Sequence, residues 1–121
     1  MIVDDEYDIL NLIKLWLELD GFNACTFADP LIALEHFISN SKYYNIVISD
    51  IRMPGMNGYE FARKIKEARS QVEIILMSSL EIEEDSELLS ILSDVDVAAF
   101  IQKPFSLQTL RSMIVHVAAQ R

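Results

Sequence analysis

Each of four short apolar runs in this 121-residue chain ends in a polar or charged side chain of a type that could take part in phosphoryl chemistry. Met1-Ile2-Val3 leads into Asp4 and Asp5, and Ile46-Val47-Ile48 leads through Ser49 into Asp50. Val72–Met77 leads into Ser78 and Ser79, and Phe100-Ile101 is followed closely by Lys103. Short β-branched runs of this kind suit strands buried on both faces, and open α/β sheets place their chemistry at the carboxyl ends of such strands. Asp4, Asp5 and Asp50 gathered at one sheet edge would repel one another unless a proton or a cation intervened. Magnesium suits such a group because it takes oxygen ligands and pairs one or two carboxylates with phosphate oxygens. Ser78 adds a hydroxyl and Lys103 a point charge. The set describes phosphoryl transfer with a carboxylate as nucleophile. The sequence has neither a glycine-rich phosphate loop nor a dinucleotide fingerprint, so the expected donor is a small molecule or another protein.

The elements that would position these groups alternate between two periodicities. Met1–Val3 reads as the end of a strand, short against the usual ~5–6 residues, as a trimmed start would leave it. Asp5–Asp20 has helical spacing at Ile9, Ile13, Trp16 and Leu17, and Gly21 can close the helix. Leu10, Leu12, Leu15 and Leu19 widen its apolar face, so a well-buried helix is expected. Phe22–Phe27 reads as a second strand. Asp29-Pro30 supplies an N-cap and a first-turn proline for a helix through Leu34 and Phe37. Strands are expected at Asn45–Ser49, Val72–Met77 and Val97–Ile101. Helices are expected from about Asn57 to Ser70, over Glu81–Ser93, and over Leu107–Ala119 with Ser106 as N-cap. Five strands alternating with five helices predict a doubly wound parallel sheet covered on both faces, with right-handed crossovers, as a single domain.

Composition narrows the class. The chain is 51% hydrophobic, too apolar for a disordered chain, yet no run approaches the ~18 residues of a membrane span. Cys25 stands alone, which excludes an internal disulfide and fits a reducing compartment. With no export signal visible, a cytoplasmic location is expected. The formal net charge of −9 argues against direct contact with nucleic acid or an anionic membrane.

Val3-Asp4-Asp5-Glu6, Asp50-Ile-Arg-Met-Pro-Gly-Met-Asn-Gly58, Ile74–Ser79 and Lys103-Pro104-Phe105 together resemble the receiver domain of two-component response regulators, in family order and spacing. The resemblance spans residues 1–121 and implies a flavodoxin-like sheet of order 2-1-3-4-5, like that of the chemotaxis regulators. It implies that Asp50 accepts a phosphoryl group from a sensor histidine kinase. Asp5 and Asp50 would ligate Mg2+ directly, Asp4 through water, and the Arg52 backbone carbonyl would supply a further ligand. Lys103 would pair with the acyl phosphate, across a cis bond to Pro104. Ser78 and Phe100 would be the switch residues, turning a surface formed by the Glu81–Ser93 helix, the fifth strand and the last helix. A downstream protein, or an effector domain absent from this chain, would read that surface, with the domain a monomer or a phosphorylation-dependent dimer. Arg52 and Leu80 would flank the water approach to the phosphorus and slow self-hydrolysis. Ser78, Phe100 and Ser79 stand where threonine, tyrosine and alanine are more usual, and Asp94-Val-Asp96 lacks the glycine often found before the fifth strand.

Other readings of the same residues stand beside these. Asp5 alone would serve as a helix N-cap, Ser78 as an ordinary strand-end hydroxyl, and Phe100 as a core aromatic. His36, His116 and the methionines read as structural, and the acids of Glu81–Asp96 as a solvated face. A haloacid-dehalogenase-type phosphohydrolase also uses a strand-end aspartate with magnesium. That site has a second acid two residues later, where this chain has Arg52. A receiver-like binding module that no longer takes phosphate is a further alternative, against which the complete Asp4, Asp5, Asp50, Ser78 and Lys103 set argues.

Overall fold

The short apolar runs become the strands of one parallel sheet. A computed structural model describes residues 1–79 and 95–120. The strands are β1 (Ile2–Val3), β2 (Thr26–Phe27), β3 (Ile46–Asp50), β4 (Glu73–Ser78) and β5 (Ala99–Gln102), in the order β2-β1-β3-β4-β5. Every described pairing is parallel. Among the described residues the helices are α1 (Tyr7–Leu19), α2 (Pro30–Asn40), α3 (Gly58–Ala68) and α4 (Leu107–Ala119), with a 3-10 turn at Ser41–Tyr43. The expected helix at Glu81–Ser93 and the flanking Leu80 lie outside the described residues.

Side-chain alternation divides the core into two layers, because successive strand residues face opposite sides of a sheet. Val3, Val47, Ile74 and Leu76 pack with Phe37, Phe61 and Ile65 of α2 and α3. Ile2, Ile48, Ile75 and Met77 pack on the other face with Ile13 and Leu17 of α1 and Leu110 and Ile114 of α4. The chain therefore winds one way from β1 through α1 to β2, and the other way from β3 onward. The reversal opens a crevice beyond the carboxyl ends of β1 and β3, the position at which doubly wound sheets bind ligands.

Local chemistry sets the helix ends. Asp29 accepts the Leu31 N–H at 2.8 Å with Pro30 in the first turn, and the Ser106 Oγ accepts the Thr109 N–H at 3.1 Å. Asn57 Oδ1 accepts from both Tyr59 and Glu60 N–H at 3.0 Å, starting α3 one residue later than expected. Gly21 closes α1 with φ of 90°, the left-handed geometry anticipated for it.

Three expectations need correction. β2 occupies two residues of the six expected, and its neighbour β1 is equally short, so the ladder beside it offers few partners. Asp50 is the last residue of β3 and not the first beyond it, because it stays in register with Met77. Most clearly, α1 is not buried around a wide arc. Leu10, Ile13 and Leu17 face the core, while Leu12, Leu15 and Leu19 are exposed, Leu19 to 78%. A helix on the outside of a sheet has one inward stripe, and leucine count does not widen it.

Gly58 sits where the loop after Asp50 turns back into α3. Its N–H donates to the Ile51 carbonyl at 2.7 Å. A Cβ there would run into the Asp50 carbonyl oxygen and stand 2.8 Å from Ile51 Cα, both of them backbone atoms. Gly58→Ala should therefore destabilise the domain by about 2 kcal/mol, a drop of several degrees in thermal melts. A melting temperature within one degree of the parent would show that α3 can move away without penalty.

Candidate functional site

Asp4 and Asp5 follow β1, β3 ends in Asp50, β4 in Ser78, and Lys103 follows β5, so the sheet delivers all these groups to one edge. Among the described residues, Asp4, Asp5 and Asp50 form a group whose carboxylate oxygens lie within 4.8 Å of one another. Asp4 is fully buried, Asp50 nearly so, and Asp5 exposed. The Lys103 ammonium lies 2.6 Å from Asp4 Oδ2 and 3.5 Å from Asp50 Oδ1. The Glu6 N–H donates to Asp4 Oδ1 at 2.9 Å, so both Asp4 oxygens are held. Glu6 is the N-cap residue of α1 and its side chain makes no capping hydrogen bond, so the capping alternative for Asp5 is not realised.

A cleft of about 190 Å³ opens over this edge. Asp5, Asp50, Arg52, Ser78, Ser79 and Lys103 are among its lining residues, with Asp4 beneath. A larger cleft of about 400 Å³ lies at the opposite end of the sheet, between Ala24 and Ile46, and its described lining carries no charged side chain. The smaller cleft is the chemically equipped one. Phe100 does not line it. Half-buried, it faces Leu76 across the β4–β5 ladder and packs toward the α2–α3 layer. The Lys103 N–H donates to the Ser78 carbonyl at 2.6 Å, and the Lys103–Pro104 bond is cis as expected. Neither histidine lines the cleft; His36 Nε2 lies 2.6 Å from the Tyr44 hydroxyl, a structural contact.

Electrostatics follow from this crowding. Burial, and then the neighbouring Asp4 charge, push the Asp50 carboxyl above its ordinary value, against the opposing pull of Lys103. Burial would lower the Lys103 ammonium, but its hydrogen bond to Asp4 and attraction to both carboxylates carry it above the usual lysine value. Three carboxylates against one ammonium leave two negative charges to be met. An all-oxygen set with that deficit fits a hard divalent cation such as Mg2+.

Sequence reasoning overlooked two contributors. The Glu6 amide holds Asp4, a main-chain role that no side-chain type signals. Ser49, a hydroxyl inside an apolar run, is fully buried and donates to the Asp50 carbonyl at 2.9 Å. Its polarity in that run was the available signal. Of the two residues expected to gate water, Arg52 is exposed at the cleft, and Leu80 lies outside the described residues.

Residues 1–115 match the family model of the response regulator receiver domain. The chain belongs to that family. It is a receiver domain of two-component signalling, and such domains are signalling switches. The response regulator ArlR of Staphylococcus aureus is 29% identical over 116 residues, covering 94% of this chain and 49% of that protein. The chain thus spans about half the length of the curated relatives it matches. A receiver domain protein from Clostridium thermocellum is 26% identical with a TM-score of 0.87, covering 98% of this chain and 92% of that one. A CheY-like receiver domain protein from Methanospirillum hungatei JF-1 is 27% identical with the same TM-score and coverage. No helix among the described residues is long and apolar enough to cross a membrane.

The raised Asp50 carboxyl has a signed consequence. Folding disfavours its charged form, so the penalty is fully present above the folded value and is relieved as pH falls through it. Without metal at pH 7, Asp50→Asn should melt above the parent. The gap should narrow with acid and close below ~3.9, where Asp50 is protonated folded or unfolded. Millimolar Mg2+ should raise the parent and leave the variant almost unmoved. A gap that is absent at pH 7, or independent of pH, would contradict the burial argument.

Proposed function

We propose that this chain, residues 1–121 acting as one domain, accepts a phosphoryl group on Asp50 from a phosphohistidine of a sensor kinase. The observation that carries this reading is the Lys103 ammonium between Asp4 and Asp50, beside a cleft edged by a third carboxylate. An Asp50 oxygen attacks phosphorus and forms the O–P bond of an acyl phosphate as the P–N bond breaks. The imidazole leaves with the bonding pair and takes its proton from solvent. Asp5 and Asp50 would hold Mg2+ directly, Asp4 through water, and the Arg52 carbonyl would supply another oxygen. Bound there, the ion would meet the charge deficit and the charge developing on the phosphoryl oxygens.

The chain's own groups do the rest. Lys103, already 3.5 Å from Asp50, exchanges part of its contact with Asp4 for the phosphoryl oxygens. Ser78, at the cleft wall, follows the phosphoryl group as the switch hydroxyl. That movement frees space into which Phe100 turns, a two-state packing change carried along β5. The switched surface is read by a downstream protein or by an effector domain absent from this chain. The chain catalyses its own phosphorylation and dephosphorylation and turns over no other substrate. Arg52 lies across the water approach and slows loss of the phosphate. The absence of a phosphate-binding loop supports a protein or small-molecule donor over a nucleotide, and a cytoplasmic setting follows from the kinase partner.

Acetyl phosphate with Mg2+ should add one phosphoryl group to the protein, seen by intact-mass spectrometry, and none to Asp50→Asn. An adduct of equal yield in that variant would place the nucleophile elsewhere.

A further inference from the structure

Ser49 follows the half-buried Ile46 and the buried Val47 and Ile48 of β3, and its side chain is fully enclosed. Its hydroxyl donates to the Asp50 carbonyl oxygen at 2.9 Å, and its oxygen lies 4.0 Å from Met53 Sδ in the following loop. That same carbonyl oxygen is the atom against which Gly58 packs. The other end of the peptide is also held, since the Ile51 N–H donates to the Met77 carbonyl at 3.1 Å. The peptide joining Asp50 to Ile51 is therefore clamped at its oxygen by Ser49 and at its nitrogen by β4. Its plane sets the backbone angle at Asp50, and with it the direction of the carboxylate and the path of the chain toward Arg52.

We propose that Ser49 is a positioning residue for phosphoryl transfer, fixing the Asp50–Ile51 peptide so that the Asp50 carboxylate meets phosphorus in line. The inference rests on Asp50 being the acceptor. Ser49 touches neither donor nor metal ligand oxygen; it acts through the Asp50 main chain. A buried hydroxyl in an apolar layer needs an acceptor, and the carbonyl it finds belongs to the nucleophile itself. Misplacement of a reacting group by about 1 Å can slow a reaction ~100-fold, so a smaller tilt of this peptide has a measurable effect.

The test compares Ser49→Thr with Ser49→Val, which differ by one hydroxyl at nearly equal volume. The readout is the rate of adduct formation with acetyl phosphate at saturating Mg2+, beside thermal melts of the same proteins. Thr should label within about twofold of the parent, and Val about tenfold more slowly at saturation. The half-saturating acetyl phosphate concentration should be little changed in both. Should the added methyl group prevent folding, Ser49→Ala, which adds no volume, should show the same slowing against the parent. Equal rates for Thr and Val, or for Ala and the parent, would overturn the positioning role while leaving Asp50 as acceptor. Absence of any adduct on the parent protein would overturn both.

Discussion

Like charges crowded at the end of a sheet are the constraint on which the rest of this structure turns. Asp4 and Asp50 are buried, Asp5 stands beside them, and all three present oxygens within 4.8 Å of one another. Such a group cannot persist uncompensated, and the compensation comes from a residue nearly a hundred positions away. Lys103 reaches Asp4 and Asp50 because β5 lies beside β4, which lies beside β3. Removing Lys103 would leave Asp4 buried without its cation, a loss of about 3–5 kcal/mol, a large part of a small domain's total stability of ~5–15 kcal/mol. The ammonium offsets one charge of three, and the remaining charge, on an all-oxygen set, is of the kind that suits a divalent cation.

The fold explains why this crowding occurs at one place. Two apolar periodicities alternate along the chain, and β1, β3, β4 and β5 end in or run straight into polar side chains because the next residues leave the sheet. Parallel strands all end at the same edge, so the polar ends converge there without further instruction. The reversal of winding at β1 and β3 separates α1 from α2 and α3 and leaves the crevice into which the carboxylates project. Stability and function share the same backbone here. The Asp50–Ile51 peptide is at once a rung of the β3–β4 ladder, the surface on which α3 starts at Gly58, and the base of the proposed nucleophile.

Most of this was legible from residue types. Runs such as Ile46-Val47-Ile48 and Val72–Met77 marked the strands, Asp29-Pro30 and Ser106 marked helix starts, and the strand-end positions of Asp4, Asp5, Asp50 and Lys103 marked the site. The resemblance added the strand order and the cis bond at Pro104. What escaped was set by tertiary geometry. The outward leucines of α1 read as core because periodicity reports an apolar face but not how wide the facing layer is. The brevity of β2 depends on how much of β1 is there to pair with it. Asp5 failed as a cap because α1 begins at Tyr7, which makes Glu6 and not Asp5 the N-cap. Ser49 was visible as an anomaly in an apolar run, but its acceptor could be named only once the backbone around Asp50 was in place.

The central claim is that a phosphoryl group on Asp50 draws Lys103 and Ser78 toward it and carries the change along β5. Amide NMR with beryllofluoride and Mg2+, which together stand in for the phosphoryl group on a carboxylate, tests it most directly. The account predicts shifted signals at Asp50, Ser78 and Lys103 that continue along β5 to Phe100, all lost in Asp50→Asn. Shifts confined to the loop around Arg52, or unchanged in that variant, would contradict it.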